Sequence, residues 1–551
     1  MAEKMEPKHM PKTAPETPTD AKANKIQQTR FWIIIFSLSL LAFISALDVM
    51  IITTALPTIV AEIGGTSQFV WIANSFVIAS CVLQPLIGQL ANILGRKTPT
   101  VVSVAAFIVG STMAGSANGP DLLIAGRTIQ GVGAGGMYVL IDIVCCDLVP
   151  LRERGKYLGI VNSTAAIAAA IGPVIGGVMA ASNWRWIFYM NIPICAVPFV
   201  ALLLFMRMKK AESGNQPKLR QIDFIGNVLF IPSMVAVIFG LVTGGIEFPW
   251  SSWRVILPLV IGAVGWIAFH IHQHFAIYPS VPSRLFGNRT SAAAFALTFL
   301  TSVITQAISY FLPVYFQSLQ GNTVDRSGVN FLPLAIGTLV SAVVAGVLLS
   351  RFGTYRFMHA VSFACSILAC GLLTTLDGNT PTVAWAFFEL IAAAGAGIPV
   401  STLLPAIMAA LPESDVAAST AAFSFIKTFG YIWGVTIPSV VFNAVVNNNL
   451  GIVTSTEVRD QLANGGAYSF ASRAHHLERV LDASLWSQVE TVFVRGLDAI
   501  WWFSLAVAII GLFTVGLERR LELRTELDTE YGLDDARPKA ATAGADRVEA
   551  A

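Results

Sequence analysis

DLLIAGRTIQGVGAGGMYVLIDIVCCDLVPLRERGKY, residues 121–157, decides how the whole chain is read. Its first part is apolar from Leu122 to Cys146 apart from a few polar positions. A basic turn, Arg152, Arg154 and Lys156, then opens a second apolar run that passes AIAAAIGPVIGG at 166–177. Crossing a bilayer takes about 20 apolar residues, and both runs reach that length. The first nonetheless carries Arg127 and Asp142. A charge at membrane depth is costly and by default marks a site that faces a cavity or a partner. The second carries Gly172-Pro173 in mid-span, a pair that kinks or loosens a helix where neighbours satisfy the freed carbonyls; here it is expected to set a kink against the other half of the molecule. The basic turn pins its end of both helices to the cytoplasm.

The rest of the chain has the same character. Of 551 residues, 55% are hydrophobic and 12% charged, against about 25% charged in soluble domains. That leaves too little polar surface to solvate a globule of this size, so lipid must cover much of it. A net charge of +2 gives no electrostatic basis for nucleic-acid binding. The six cysteines all fall in apolar segments and read as small buried hydrophobes. Residues 1–30 and the tail after Glu518 read as disordered.

About fourteen spans are expected, near 31–56, 69–91, 98–117, 121–146, 156–180, 186–206, 223–244, 253–273, 290–317, 327–350, 356–376, 382–410, 415–445 and 496–517. Basic residues concentrate in alternate loops, which places both termini in the cytoplasm. GQLANILGRKT from Gly88 aligns with GVLLSRFGTYR from Gly346, and the glycine pairs Gly88/Gly95 and Gly346/Gly353 recur at one spacing. This repeat divides the chain into an N-tail (1–30), a six-helix bundle (31–206), a linker with two extra helices (207–289), a second six-helix bundle (290–517) and a C-tail (518–551). Transporters are often built from such repeats, with the substrate site between the halves. The segment 447–494 is the long outside loop. Leu477, Val480, Leu481, Leu485, Val489 and Val492 recur in it at helical spacing, which predicts one amphipathic helix on the outer face.

Several of these stretches resemble motifs of the major facilitator superfamily. GRTIQGVGAGG at 126–136 is similar to its fourth-helix motif. AIAAAIGPVIGG is similar to the fifth-helix motif of its antiporters, with Ala168 in place of a usual glycine. GQLANILGRK resembles the loop between its second and third spans, and LDVMIITTALPTI at 47–59 the first-helix signature of the fourteen-span drug/proton antiporters. LVPLRERGKY, NWRWIFYMNIP, YFLPVYFQ and PESDVAASTAAFSFIKTFG resemble fungal efflux pumps of that family. The resemblance covers about 31–517. It implies an all-α membrane protein and proton-driven export of small lipophilic molecules, such as toxic secondary metabolites, by alternating access. No bound cofactor or enzyme activity is implied. The expected partners are the bilayer, the substrate and protons, with a monomer in the plasma membrane or the vacuolar membrane. A proton-coupled importer of siderophores or other nutrients, and a transporter-like sensor, stay open as alternatives. Asn92-Ile93 stands where the loop motif carries an acidic–basic pair, although Arg96 and Lys97 remain. Lys427 stands where relatives commonly have arginine.

Asp48 and Arg127 both fall in the outer half of their spans at a helical rise of about 1.5 Å per residue. They are expected to pair near the interface between halves, either as a proton-coupling pair or as a structural one. Asp142, Glu389 and Lys427 are the other intramembrane charges and further candidates for proton coupling, and the last two are candidates to pair with each other. Gly88, Gly95, Arg96, Lys97, Gly131, Gly172, Pro173, Gly176 and Gly177 form the conformational motifs. Trp71, Asn74, Gln84, Gln306, Tyr310 and Tyr315 are candidates to line a pocket. His270, His272 and His274 suggest a metal box, but the remaining histidines cannot complete one, so no metal is expected. The chain shows no phosphate-binding glycine loop of an ATP-driven pump.

Overall fold

A computed structural model describes residues 18–63, 69–208, 221–245 and 248–526. It is built from helices: α1 (Pro18–Ile63), α2 (Phe69–Val82), α3 (Gln84–Leu94), α4 (Lys97–Gly115), α5 (Pro120–Leu148), α6 (Leu151–Ser182), α7 (Arg185–Tyr189), α8 (Asn191–Phe205), α9 (Phe224–Thr243), α10 (Trp253–Phe275), α11 (Arg289–Ser318), α12 (Val324–Asn330), α13 (Leu332–Phe352), α14 (Tyr355–Leu373), α15 (Thr382–Met408), α16 (Val416–Asn449), α17 (Thr456–Leu462), α18 (Ala467–Val480) and α19 (Ala483–Val515). Lipid offers no hydrogen bonds, so apolar runs of this length must satisfy their backbone internally, as helices do. Proline in the first turn starts α3, α5 and α13, where its missing N–H costs nothing. Side chains of Asp223, Ser252 and Asn288 cap α9, α10 and α11. Gly353, in the left-handed region at φ 67°, ends α13.

Twelve of the described helices are long and apolar enough to cross a membrane, or thirteen when α2 and α3, bent by 44°, form one span. That is one or two fewer than the fourteen expected; the fifth expected span falls on α6, a continuous helix of 32 residues that is not among them. Some of its side chains, including those of Pro173 and Gly177, lie outside the described ones.

The expected termini need correction. Residues 18–30 are not a free tail but the first turns of α1. Residues 518–526 are held against the protein: Glu518 is buried on His359 at 2.9 Å, and Leu523 is 5% exposed. Residues 1–17 and 527–551, and most of the 207–220 linker, lie outside the described residues. The outer loop also differs from a single amphipathic helix. The chain breaks at Leu481 and Asp482 between α18 and α19, and Val480 is 66% exposed. Val489 and Val492 are buried in α19 instead, because that helix runs on without interruption into the last span. Tyr468 and Phe470 of α18 pack on Phe311, Phe442 and Phe493.

α6 packs along α1 and, on its other side, along α13; α3 and α5 pack on α16. These two seams join the N-terminal helices to the C-terminal ones. The hairpin α9–α10 lies over the second seam, with Phe230 and Met234 clustered against Ile78, Cys81 and Phe425. At its foot Gln89 of α3 donates to the carbonyls of Gln221 and Tyr278, and Asp223 gathers Gln273, His272 and the N–H groups of Gly226 and Ser280. Burial pushes the Asp223 carboxyl up, but those hydrogen bonds outweigh it and hold it below its ordinary 3.8. A depressed carboxyl stabilises the fold above its unfolded pKa of about 4, and the gain disappears as pH falls through the folded value. Thermal unfolding of the purified protein should therefore show Asp223→Ala less stable than the wild type at neutral pH. The gap should close under acid; an equal gap at all pH would show that the charge is not what docks the hairpin.

Candidate functional site

The N-terminal bundle buries a polar cluster built by four helices. Arg127 of α5 donates from Nη1 to Asp48 Oδ2 of α1 at 2.6 Å, and to Gln130 Oε1 at 2.8 Å. Gln130 Nε2 and Asn191 Nδ2 of α8 both donate to Asp48 Oδ1, at 2.7 and 2.8 Å. Ser111 of α4 accepts from Gln130 at 2.9 Å. The Arg127 guanidinium also lies 4.3 Å from the Phe76 ring centre. Asp48 and Arg127 are 2% and 1% exposed. Unlike exposed pairs, a pair this deep is costly to desolvate and depends on every hydrogen bond around it. Asp48 receives three donors and carries the one negative charge of the cluster.

The sequence-based pairing of Asp48 with Arg127 thus matches the geometry. Among the described residues, the cluster's hydrogen-bond partners come from α1, α4, α5 and α8. Tyr138 of α5 donates to the Ser45 carbonyl of α1 at 3.4 Å and interacts electrostatically with Asp48, Arg127 and Tyr431 of α16. Gln130, Ser111 and Asn191 escaped the sequence reading, being uncharged. The signal available was the GRTIQ spacing, which sets Gln130 three residues from Arg127 on the same helix face.

A second polar contact crosses between the halves. Asp142 of α5 receives a side-chain hydrogen bond from Asn162 of α6 and interacts electrostatically with Lys427 of α16. The Lys427 ammonium also stands 5.9 Å from the Phe423 ring centre. One residue further, Thr428 accepts from Gln84 of α3 at 3.1 Å. The expected Lys427–Glu389 pair does not form. Glu389 lies elsewhere in the C-terminal bundle, taking the Leu334 N–H at 3.2 Å.

The end that carries the basic turns is closed. Gly155 and Gly159 of α6 meet Ser401 and Ala342, and Gly346 of α13 meets the Gly155 carbonyl, so a side chain at any of these would force the halves apart. Gly88 meets Ala417 and Ala421 in the same way. Arg154, wholly buried, donates to Glu413 Oε2 at 2.8 Å across the seam and to the carbonyls of Cys146 and Val149 on its own side. Arg152 donates to the Ser350 and Arg351 carbonyls at the end of α13. Arg96 is buried on Asp147 at 2.7 Å and on Asn92 at 2.9 Å, so the missing acidic–basic pair leaves this arginine held by the end of α5. Lys97 donates to the Leu203 carbonyl, and Gly95, at φ 83°, makes the turn.

Other sequence candidates fall differently. Gly131 packs on Phe76 and Ala79 of α2. Gly172 meets Met50 of α1 and not the opposite half, while α6 stays one helix; Gly176 is buried in the same helix. Trp71 stacks on Phe239 of α9 at 5.3 Å, Tyr310 lies against Tyr468, and Tyr315 is buried with its hydroxyl on the Asp377 carbonyl. Trp71 and Tyr310 keep 39% and 42% of their surface exposed beside these contacts, whereas Tyr315 is fully buried. Asn74 is half-buried on α2, and Gln306 of α11 packs on Gly434 of α16. His272 serves Asp223, and His270 rests on Trp266 and Phe269.

Comparison with known proteins places this architecture. The model of the Major Facilitator Superfamily matches residues 38–435. The chain belongs to the major facilitator superfamily. It is 41% identical over 534 residues to the "MFS efflux transporter aclA" of Aspergillus oryzae, covering 96% of each chain. It is 41% identical to the "MFS-type transporter gkaD" of Penicillium citrinum (96% and 93% covered). To the "Acurin A biosynthesis cluster MFS-type transporter" of Aspergillus aculeatus it is 39% identical (92% and 93% covered). Among solved structures, the human organic anion transporter MFSD10 aligns with a TM-score of 0.57 at 11% identity, over 88% of this chain and 99% of that one. The proton:xylose symporter XylE aligns at 0.52 and 14%, over 82% and 95%. These likenesses establish the superfamily fold and a multi-pass membrane transporter of the fungal efflux-pump type.

Proposed function

We propose that this transporter is a proton-driven exporter of small lipophilic molecules, working by alternating access, and that its role is self-protective removal of a toxic secondary metabolite. The observation that carries the proton coupling is the buried Asp48–Arg127 pair at 2.6 Å. A carboxylate that loses its charge on protonation would release a buried guanidinium and loosen four helices at once. The direction of transport rests on the relatives, one of which is named as an efflux transporter and another for a biosynthesis cluster. The closed seam at the basic end fits one extreme of an alternating cycle, with the basic end cytoplasmic. Residues 31–206 and 290–517 act as the two rocking bundles, and 207–289 is the insert. The substrate enters between them, near Asp142, Gln84 and Lys427. The transporter works as a monomer in the plasma membrane with no bound cofactor.

The test is flux into and out of vesicles holding the purified protein, with a fluorescent lipophilic probe and an imposed pH gradient of either sign. Movement of the probe against its own gradient and opposite to the proton gradient is expected. Movement with the protons would replace export by import, and binding without flux would make the protein a sensor.

A further inference from the structure

The C-terminal bundle holds a cavity of about 160 Å³ between α11, α13, α14 and α15. Its polar lining is all hydroxyl: Thr301, Thr305 and Ser309 of α11, Thr338 of α13 and Ser366 of α14. The Thr301 hydroxyl is buried and finds no partner among the described residues. Glu389, 1% exposed, is tied to this lining through Leu334. Its Oε2 accepts the Leu334 N–H at 3.2 Å, and its Oε1 has no partner. Leu334 lines the cavity, as do Ala392 and Ala396, which follow Glu389 along one face of α15.

This placement repeats that of the N-terminal cluster. The sequence repeat sets α4 opposite α14, and hence α5 opposite α15. Arg127 lies in α5, which begins at Pro120, and Glu389 in α15, which begins at Thr382, so both stand seven residues along. Ser111 of α4 faces the first cluster as Ser366 of α14 faces the cavity. In the first site the buried cation and carboxylate satisfy each other. In the second, the residue at the same count from the start of its helix is a carboxyl with no cation bonded to it among the described residues. α15 packs against α6, α11, α13, α14 and α16. Their titratable and charged groups are Tyr310 and Tyr315 of α11, Cys365 and Cys370 of α14, Lys427 and Tyr431 of α16, and, toward the basic end, Arg289, Arg351, Tyr355, Arg356, His359 and the Arg152–Tyr157 segment of α6. None of those described makes a hydrogen bond or ion pair with Glu389. An ionised carboxyl so placed has only the first turn of α13 to favour it, through one N–H and the helix dipole.

We propose that Glu389 is a second proton-carrying carboxyl of this transporter, in the C-terminal bundle, and that the hydroxyl-lined cavity is the water-holding space through which its proton passes. The inference extends the proton-driven reading above. It also supplies a link to the seam. α13, whose first turn Glu389 holds, is the helix that packs on α6 through Gly346 and Ala342. Protonation removes the negative charge from the α13 N-terminus and lets that helix shift against α6. A held water needs polar partners; the buried Thr301 hydroxyl, free of other partners among the described residues, offers one, and the Thr305 and Ser309 hydroxyls line the same space among apolar side chains.

The full chain in lipid nanodiscs answers this without any substrate. Infrared titration of the protonated-carboxyl C=O band is run on the wild type, Asp48→Asn and Glu389→Gln. Gln keeps the oxygen that accepts from Leu334 and the size of the side chain, so a merely structural role for Glu389 would survive it. The expected result is that Glu389→Gln removes a titrating component that Asp48→Asn leaves in place. Spin labels at Glu153 and Phe352, exposed at the basic ends of α6 and α13, then report the seam. The wild-type separation should change with pH, and Glu389→Gln should stay at the acid-side value throughout. A Glu389→Gln spectrum identical to wild type, or an unaltered pH response of the labels, overturns the proposal. If only Asp48→Asn changes the titration, the Glu389 proposal falls alone; if neither variant does, the proton-coupled reading falls with it.

Discussion

Asp48→Asn is expected to abolish gradient-driven export and, at the same time, to weaken the fold. The structure makes both parts follow. Arg127, Gln130 and Asn191 all donate to the Asp48 carboxylate. An asparagine has one acceptor oxygen and one donor nitrogen, so its NH2 must oppose either the guanidinium or the two amides. Either way a donor meets a donor, and Arg127 becomes a buried cation with no anion. Breaking one side of such a pair typically costs about 3–5 kcal/mol. The loss of transport alone would therefore not separate coupling from damage. The double variant Asp48→Asn/Arg127→Gln does, because it removes both charges and leaves amides that can bond to one another. It should recover most of the thermal stability while still moving the probe without regard to the pH gradient. Full gradient dependence in the double variant would remove Asp48 as a proton carrier. Arg127→Lys keeps a cation that can donate to Asp48 and Gln130, as Nη1 does, but loses the guanidinium plane that lies over the Phe76 ring, so partial activity is expected.

What the sequence disclosed, and what it hid, divides along a physical line. The spans are legible because a bilayer demands length and apolarity, and these are local properties. The Asp48–Arg127 pair was legible because two opposite charges at similar depth in neighbouring spans are too costly to leave apart. Gln130, Ser111 and Asn191 were not, since amides and hydroxyls are common in membrane helices and carry no alarm of that kind. Partners across the two halves were misread for another reason. Glu389 and Lys427 lie on adjacent spans, yet Lys427 faces Asp142, because the facing of α16 is fixed by its packing on α3 and α5. Gly172 likewise turned out to serve the close approach of α6 to α1. A helix rotation decides such contacts, and no local pattern encodes it. The outer amphipathic stretch failed at a single point, Asp482, where a new helix begins.

Arg154→Ala should open the basic end. Arg154 is read from sequence only as one of three topogenic cations, yet it is wholly buried and spends its guanidinium on both halves. It holds Glu413 and the Met408 sulfur on one side, and the Cys146 and Val149 carbonyls on the other. The contacts to Glu413 and Met408 exist only while the seam is shut; once it opens, water can solvate both charges. The substitution therefore acts on one conformation and not on the chain as a whole. At about 3–5 kcal/mol for a broken buried pair and 1.4 kcal/mol per tenfold, the balance should move by roughly two to three powers of ten toward the open state. Glu413→Gln should do less, because an amide can still accept from Arg154 and the 10% exposed Glu413 already shares its charge with Arg524 at 3.4 Å. Cys146 provides the readout. It is fully buried beside this pair, so in a protein keeping it as the one cysteine, a maleimide reaches it only when the end opens. Arg154→Ala should speed that labelling by about two powers of ten or more, and Glu413→Gln by less. Labelling as slow as in the unsubstituted protein would mean that the glycine contacts of α6 and α13, and not the charge pair, hold the end closed. Gly155→Val would then be the variant that opens it, because its side chain would meet the Ser401 carbonyl and Leu349.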